Sequence, residues 1–240
     1  MIIGNHQKRR NTRKNIRKGL KESIKNMRKL NKAVIFDLDG TLADSFDAHV
    51  YSFFLALKSL KIRVKLKDLK KFIGKLFGKK AIEISEEICK RYELEISPSK
   101  FLEIKRKFFR RSIEKVKKFK CAKNVLIRFK KNKYAIFVVS NSIERDIGLI
   151  LRKVGIRRYI DKIYSTSRKD KTEIIEKISK RFEKIVAIDD YAENLKEFKK
   201  YGILVFGVRT GRSKKKDFEN YGIKSFKDLC QLASYLKNIF

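Results

Sequence analysis

The stretch Lys32-Ala33-Val34-Ile35-Phe36-Asp37-Leu38-Asp39-Gly40-Thr41-Leu42 constrains this chain more than any other. A short apolar run rich in β-formers stops at a carboxylate, and a second carboxylate stands two residues later. No polar residue alternates through the run, which predicts a strand over 33–37 buried on both faces, as in a parallel sheet. Gly40 permits a sharp turn just beyond it. Two carboxylates would then stand at the carboxyl end of a buried strand, where open α/β sheets hold their ligands. An Asp-x-Asp at a strand end can equally be a solvated turn or a helix cap, so its meaning depends on the rest of the chain.

Beyond this stretch the chain is first helical, then alternating. After a loop over 38–46, apolar residues recur at helical spacing over 47–60, 66–77, 81–92 and 99–119. In the first of these segments, Val50, Phe53, Phe54, Leu57 and Leu60 share one face. Ser97-Pro98-Ser99 is a good helix entry, and Gly74 and Gly78 mark a break. From 122 onward, strands over 134–140, 160–165, 184–189 and 203–208 alternate with helices over 122–132, 143–154, 171–182, 193–201 and 225–239. That alternation predicts an α/β fold, a Rossmann-like parallel sheet wrapped by helices, with an α-helical insertion after the first strand. The expected division is a basic N-terminal extension at 1–31, an α/β core at 32–45 and 120–240, and a helical cap at 46–119.

Composition narrows the chemistry. With 240 residues and a hydrophobic fraction of 42%, the chain can bury a sizeable core and a second, smaller module. No apolar run approaches the roughly 20 residues needed to span a bilayer, and no signal-peptide core succeeds the basic N-terminus. Cys89, Cys121 and Cys230 are far apart and odd in number, which fits neither a disulfide framework nor a zinc site. A reducing, cytoplasmic setting is the simplest expectation. The two histidines, His6 and His49, leave little for histidine metal sites or Ser-His-Asp chemistry, while carboxylates are plentiful. His49 and Arg63 could face the site, but the readier reading places both at the surface.

The net charge of +36 would attract polyanions. It also fits lysine used as a general surface residue, since the charge is spread over the whole chain. Residues 1–31 carry about a dozen basic side chains against the single acid Glu22. Ile16, Leu20, Ile24 and Met27 make a thin stripe, predicting a weakly amphipathic basic helix over about 12–30. Such an arm could bind nucleic acid non-specifically through residues 8–32, or an anionic surface, or simply be a solvated tail.

The other strand ends supply further polar groups. Ser140-Asn141-Ser142 ends one strand and opens a helix, offering a hydroxyl and backbone N–H groups to an anion, or an ordinary cap. Lys169 and Lys171 lie between the next strand and its helix. Ile185-Val186-Ala187-Ile188-Asp189-Asp190 is a second buried run ending in two carboxylates, with Glu193 close behind.

Taken in order, these motifs resemble the haloacid dehalogenase-like (HAD) superfamily of phosphatases and phosphotransferases. Phe36-Asp37-Leu38-Asp39-Gly40-Thr41-Leu42 is similar to its first motif, Ser140-Asn141 to its second, and Asp189-Asp190 to its fourth. The third motif is a lysine, either Lys169 or, better placed at a helix start, Lys171; the lysine-proline pair frequent in many members is absent. The resemblance spans roughly 32–222, and the four helices match a cap that many members carry.

The resemblance implies that Asp37 attacks phosphorus to form an aspartyl-phosphate, and that Asp39 protonates the leaving oxygen and then activates water. It implies Mg²⁺ held by Asp37, the backbone carbonyl of Asp39, Asp189, and Asp190 or Glu193. Thr41, Ser140, Asn141 and Lys171 would position the phosphoryl oxygens. Electrostatics leads the same way. Two unit charges about 4 Å apart cost roughly 4 kcal/mol at an effective dielectric of about 20. Several carboxylates and a phosphate dianion therefore need a hard divalent cation, and Mg²⁺ suits phosphate chemistry. The expected activity is a Mg²⁺-dependent phosphatase acting on a small phosphorylated metabolite. A phosphomutase using the same intermediate is one alternative. A nucleic-acid-binding protein, or a nucleic-acid-end phosphatase using the basic arm, is the other.

Overall fold

The computed structural model of the protein describes residues 31–76, 78–168 and 170–239. The basic extension expected at 1–31 and the alternative site residue Lys169 lie outside the described residues, except for Asn31 at the edge of the first strand. The strand β1 (Lys32–Phe36) forms where the apolar run predicts it. It pairs in parallel with β4 (Tyr134–Ser140) on one side and β6 (Lys184–Asp189) on the other. β5 (Lys162–Ser165) flanks β4, while β7 (Leu204–Val208) and β8 (Ser225–Phe226) continue beyond β6. The order is β5-β4-β1-β6-β7-β8, all parallel. The chain builds outward from β1 through β4 to β5, then crosses back to β6. That reversal opens a crevice at the carboxyl ends of β1, β4 and β6, where such sheets bind ligands.

Both faces of the sheet are covered, which is why its strands read as unbroken apolar runs. Val34, Phe36, Ile136 and Val138 face α5 (Ala122–Lys131), α6 (Glu144–Lys153) and α10 (Leu229–Leu236) through Phe129, Ile147 and Leu232. Ala33, Ile35, Ala135 and Phe137 face α7 (Lys171–Ser179) and α8 (Ala192–Lys199) through Ile175, Leu195 and Phe198. Each such large side chain, removed from water, contributes about 1.5–3 kcal/mol.

Between β1 and β4 the chain makes four helices, α1 (Phe46–Ser59), α2 (Leu66–Leu76), α3 (Ala81–Arg91) and α4 (Pro98–Ser112). They enclose an apolar cluster of their own, including Val50, Phe53, Leu57, Ile73, Ile88 and Phe101. The chain leaves for this insertion through β2 (Ala43–Asp44) and returns through β3 (Lys117–Lys118), which pair antiparallel. The helix expected over 99–119 therefore stops at Ser112, because the returning chain must extend to pair with β2. The helix expected over 225–239 is also shorter. Ser225 and Phe226 extend the sheet edge, and Asp228 caps a helix that starts at Leu229 by accepting from the N–H of Cys230 and Gln231, both at 2.9 Å. A short helix, α9 (Lys215–Glu219), comes after β7 and was not expected from periodicity.

The cysteines overturn their sequence reading. Cys121 and Cys230, 109 residues apart, are joined in a disulfide with their Cα atoms 5.1 Å apart. Cys89 is buried and free. The ends of α5 and α10 that meet here are neighbours only in the folded chain. The ground for expecting a reducing setting, three unpaired cysteines, falls away. Among the described residues no helix is long and apolar enough to cross a membrane.

Candidate active site

The turn after β1 is tightly made. Leu38 O accepts from the N–H groups of Thr41, Leu42 and Ala43 at 3.3, 2.9 and 3.0 Å. Asp37 N donates to Ile188 O at 3.0 Å, carrying the sheet one residue past β1 and setting its carboxylate in the crevice. Gly40 has a φ of +95°, and a Cβ there would lie 2.7 Å from Asp190 Oδ2. Both the conformation and the close approach require glycine.

Lys171 Nζ donates to Asp37 Oδ1 at 2.7 Å and to Asp189 Oδ2 at 2.9 Å. It opens α7 and is buried, so one ammonium joins the ends of β1 and β6. Asp189 also accepts from Tyr191 N at 2.9 Å and from Asn194 Nδ2 at 3.0 Å. Asp190 accepts from Thr41 Oγ1 at 2.9 Å and from Arg212 N at 2.8 Å. One carboxylate oxygen each from Asp37, Asp189 and Asp190 lies within 4.8 Å of the others.

This trio is short of positive charge. Burial raises Asp37 well above the usual carboxylate range; Lys171 opposes the rise, and Asp189, Asp190 and Asp39 add to it. Burial and the Asp189 charge push Asp190 up to about 7, against the hydrogen bonds from Arg212 N and Thr41. Burial would lower Lys171, but Asp189 and Asp37 outweigh it and hold the ammonium charged. A set of hard oxygen donors with one cation among three carboxylates fits a divalent cation.

Asp39 turns away from the trio. Its Oδ2 accepts from Ser140 Oγ and Ser142 Oγ, both at 3.1 Å. Its Oδ1 accepts a short hydrogen bond from Ser45 Oγ and faces His49 Nε2 at 3.4 Å. Burial would raise Asp39, but the His49 and serine contacts prevail and bring it down to about 2. His49 Nδ1 lies 3.0 Å from Lys105 Nζ. An ammonium can only donate, so Nδ1 accepts and the ring proton is left on Nε2, aimed at Asp39. Burial, then Lys105, holds His49 below the usual histidine range, as a neutral ring in this role requires.

A cleft open to solvent lies above these groups, between the carboxyl ends of the strands and the insertion. Ser140, Asn141, Ser142, Lys171 and the carboxylates form its floor, and Phe53, Ile73, Ala81, Ile84 and Lys105 of the insertion form the opposite wall. Asn141 is fixed by Thr166 Oγ1, which donates to its side-chain oxygen at 2.8 Å.

The sequence candidates Asp37, Asp39, Ser140, Asn141, Lys171, Asp189 and Asp190 all line this cleft. Thr41 lies behind it, fully buried; the hydroxyl expected at a phosphoryl oxygen is donated to Asp190. Glu193 points elsewhere, accepting a short hydrogen bond from Tyr221 Oη, and Asn194 one residue on reaches Asp189 instead. Of the two readings open for His49, surface or site, the structure takes the second, since the ring faces Asp39. Lys105 and Arg212 line the cleft without having stood out in the sequence. A single lysine or arginine in so basic a chain carries no signal of its own.

In sequence, residues 34–208 match the family described as "Haloacid dehalogenase-like hydrolase". No curated protein matches the chain. Among solved structures, a provisionally named phosphatase from Clostridium difficile is similar at 23% identity and a TM-score of 0.71, covering 87% of this chain and 99% of its own. A predicted phosphoglycolate phosphatase from Haemophilus somnus is similar at 21% identity and a TM-score of 0.67, covering 87% and 98%. A provisionally named β-phosphoglucomutase from Thermotoga maritima is similar at 19% identity and a TM-score of 0.68, covering 87% and 100%.

Proposed function

The chain belongs to the haloacid dehalogenase-like hydrolase family, and from that premise we propose that it is a Mg²⁺-dependent phosphatase acting on a small phosphomonoester through an aspartyl-phosphate on Asp37. The observation that carries this reading is the pairing of Asp37 with Lys171 beside Asp189 and Asp190, with Asp39 two residues on and independently held. A carboxylate nucleophile divides one difficult displacement into two easier ones.

Asp37, in its ionised form, attacks phosphorus as the ester P–O bond breaks. Asp39 gives the departing oxygen its proton. In the second step Asp39 takes a proton from water, the water oxygen bonds to phosphorus, and the Asp37–phosphorus bond breaks to release inorganic phosphate. As hydrogen-bonded here Asp39 rarely holds a proton at neutral pH, but a phosphoryl dianion beside it raises its affinity for one. Ser140, Asn141 and Lys171 present donors and charge to the phosphoryl oxygens. A divalent cation held by Asp37, Asp189 and Asp190 would neutralise the gathered charge and polarise a phosphoryl oxygen. In this reading the four inserted helices act as a cap, since their residues close the side of the cleft away from the sheet.

The test is phosphate release from a panel of phosphorylated metabolites, with Mg²⁺ and with excess chelator. Release should need the metal and fall by orders of magnitude in Asp37→Asn, which keeps the shape and loses the nucleophile. Parent-like turnover by Asp37→Asn, or full activity of a metal-free protein in chelator, would defeat the proposal. An isomerised product with little free phosphate would identify a phosphomutase instead.

A further inference from the structure

Arg212 has no part in the chemistry above, yet its place is closely determined. Its N–H is bonded to Asp190, and Ser213 N donates to Asp190 O at 2.9 Å. Thr210 Oγ1 donates to Gly40 O at 2.6 Å, and Ser213 Oγ accepts from Ala192 N at 2.9 Å. A Cβ on Gly211 would lie 1.9 Å from Asp190 Oδ2, so this loop is pressed onto the carboxylate floor. The guanidinium carbon sits 4.0 Å from the centre of the Tyr191 ring. From the insertion, Gly78, at a φ of +97°, comes so close that a Cβ there would be 2.5 Å from an Arg212 terminal nitrogen. The guanidinium is thus bounded by the core on one side and the insertion on the other.

The other cations of the cleft are engaged: Lys171 on Asp37 and Asp189, Lys105 on His49, and Lys79 loosely on Glu87 at 3.4 Å. Among the described residues Arg212 forms no ion pair, and its guanidinium makes no hydrogen bond. An arginine offers its donors in a rigid fork that matches the two oxygens of a carboxylate. Stacking on Tyr191 holds that fork in place, so little freedom is lost when an acid binds. Ile73, Ala81 and Ile84 line the same cleft as an apolar wall.

We propose that Arg212 is a specificity-determining residue that binds a carboxylate on the substrate's far end, so that the preferred substrate is a short phosphomonoester of a carboxylic acid. This rests on the phosphomonoester reading above. It goes further by naming the second group recognised and the side chain that recognises it.

The test separates binding from turnover by using two phosphonates of matched length, which are not hydrolysed. Calorimetry with Mg²⁺ compares 3-phosphonopropionate with propylphosphonate on the full chain and on Arg212→Gln, whose backbone bond to Asp190 is unaffected. The parent should bind the acid at least about tenfold more tightly. Arg212→Gln should bring the two ligands within roughly twofold of each other by weakening the acid alone, with Arg212→Lys falling between. No preference in the parent, or a preference that survives in Arg212→Gln, would overturn the proposal. Equal weakening of both ligands would also overturn it, since that is the mark of a residue that merely holds the insertion closed. Discrimination that is intact in a protein releasing no phosphate would sink the phosphatase reading alone. Failure of the parent to bind either phosphonate would sink both.

Discussion

Replacing Lys105 by Met is expected to make the protein more stable and less active, and the sign of the stability change depends on pH. Lys105 is 2% exposed and lies over the rings of Phe53 and Phe109, 5.2 and 4.7 Å from their centres. His49 on α1, Asp39 after β1, Asp146 and Arg145 on α6, and Arg106 on its own helix face it electrically. Burial brings its ammonium down to about 8 from an ordinary 10.5; Asp146 and Asp39 oppose the fall, while Arg106 and Arg145 add to it. Below pH 8 both the folded and unfolded chains hold the proton, and the folded one bears the full penalty, about 3 kcal/mol. Between pH 8 and 10.5 the folded chain has released a proton that the unfolded chain keeps, so stability rises with pH. Above 10.5 both are neutral and the penalty is gone. The two aromatic faces return about 1–2 kcal/mol to the charged form. The hydrogen bond that His49 Nδ1 loses takes back about another 0.5–1.5 kcal/mol, so the net gain for Lys105→Met, which has a similar length and no charge, is about 1 kcal/mol or less at pH 7. Urea unfolding of both proteins at pH 7 and pH 10 measures it. The advantage of Lys105→Met should shrink or reverse at pH 10. Phosphate release should fall at least about tenfold at pH 7, because the His49 ring loses the donor that sets its tautomer. A variant less stable than the parent at pH 7, or a difference unmoved by pH, would refute this account.

Close contacts set two further outcomes. Gly211→Ala should cost about 1–3 kcal/mol in urea and lower turnover, because its Cβ would collide with Asp190 Oδ2; parent-like stability and turnover would show that the approach is looser than this. Thiol titration of the unfolded, unreduced protein should find Cys89 alone reactive, and Cys230→Ser should lose about 2–4 kcal/mol of stability. Three reactive thiols in the isolated protein would refute the Cys121–Cys230 bond.

Much of the fold and of the cleft floor could be read from the chain because each part is a local string at a strand end. Ala33–Phe36 and Ile185–Ile188 are apolar without alternation, which only a strand covered on both faces explains, and each leads at once into its acids. Gly40 and Lys171 are equally local, one a turn and the other a helix start. Once the strands are parallel and β1 is central, Asp37, Ser140 and Asp189 must gather at one edge of the sheet. Neighbouring side chains within such strings turn on finer geometry. Asn194 rather than Glu193 reaches Asp189, since one residue along a helix turns a side chain by about 100°.

Most strands and helices, the apolar faces, and the acids at strand ends were legible in the chain alone, because they depend on its period and on the chemistry of adjacent residues. What each face meets was set by packing between distant parts of the chain. Lys105 comes to His49 across 56 residues, Cys121 to Cys230 across 109, and Arg212 to the turn at Gly78, all through the packing of elements whose periodicity names no partner. Phe226 is a strand residue only because β7 offers it an unpaired edge. A helical stripe shows that a side is buried; the identity of the surface burying it is set by loop lengths, volumes and the crossing of the chain, which no local pattern contains.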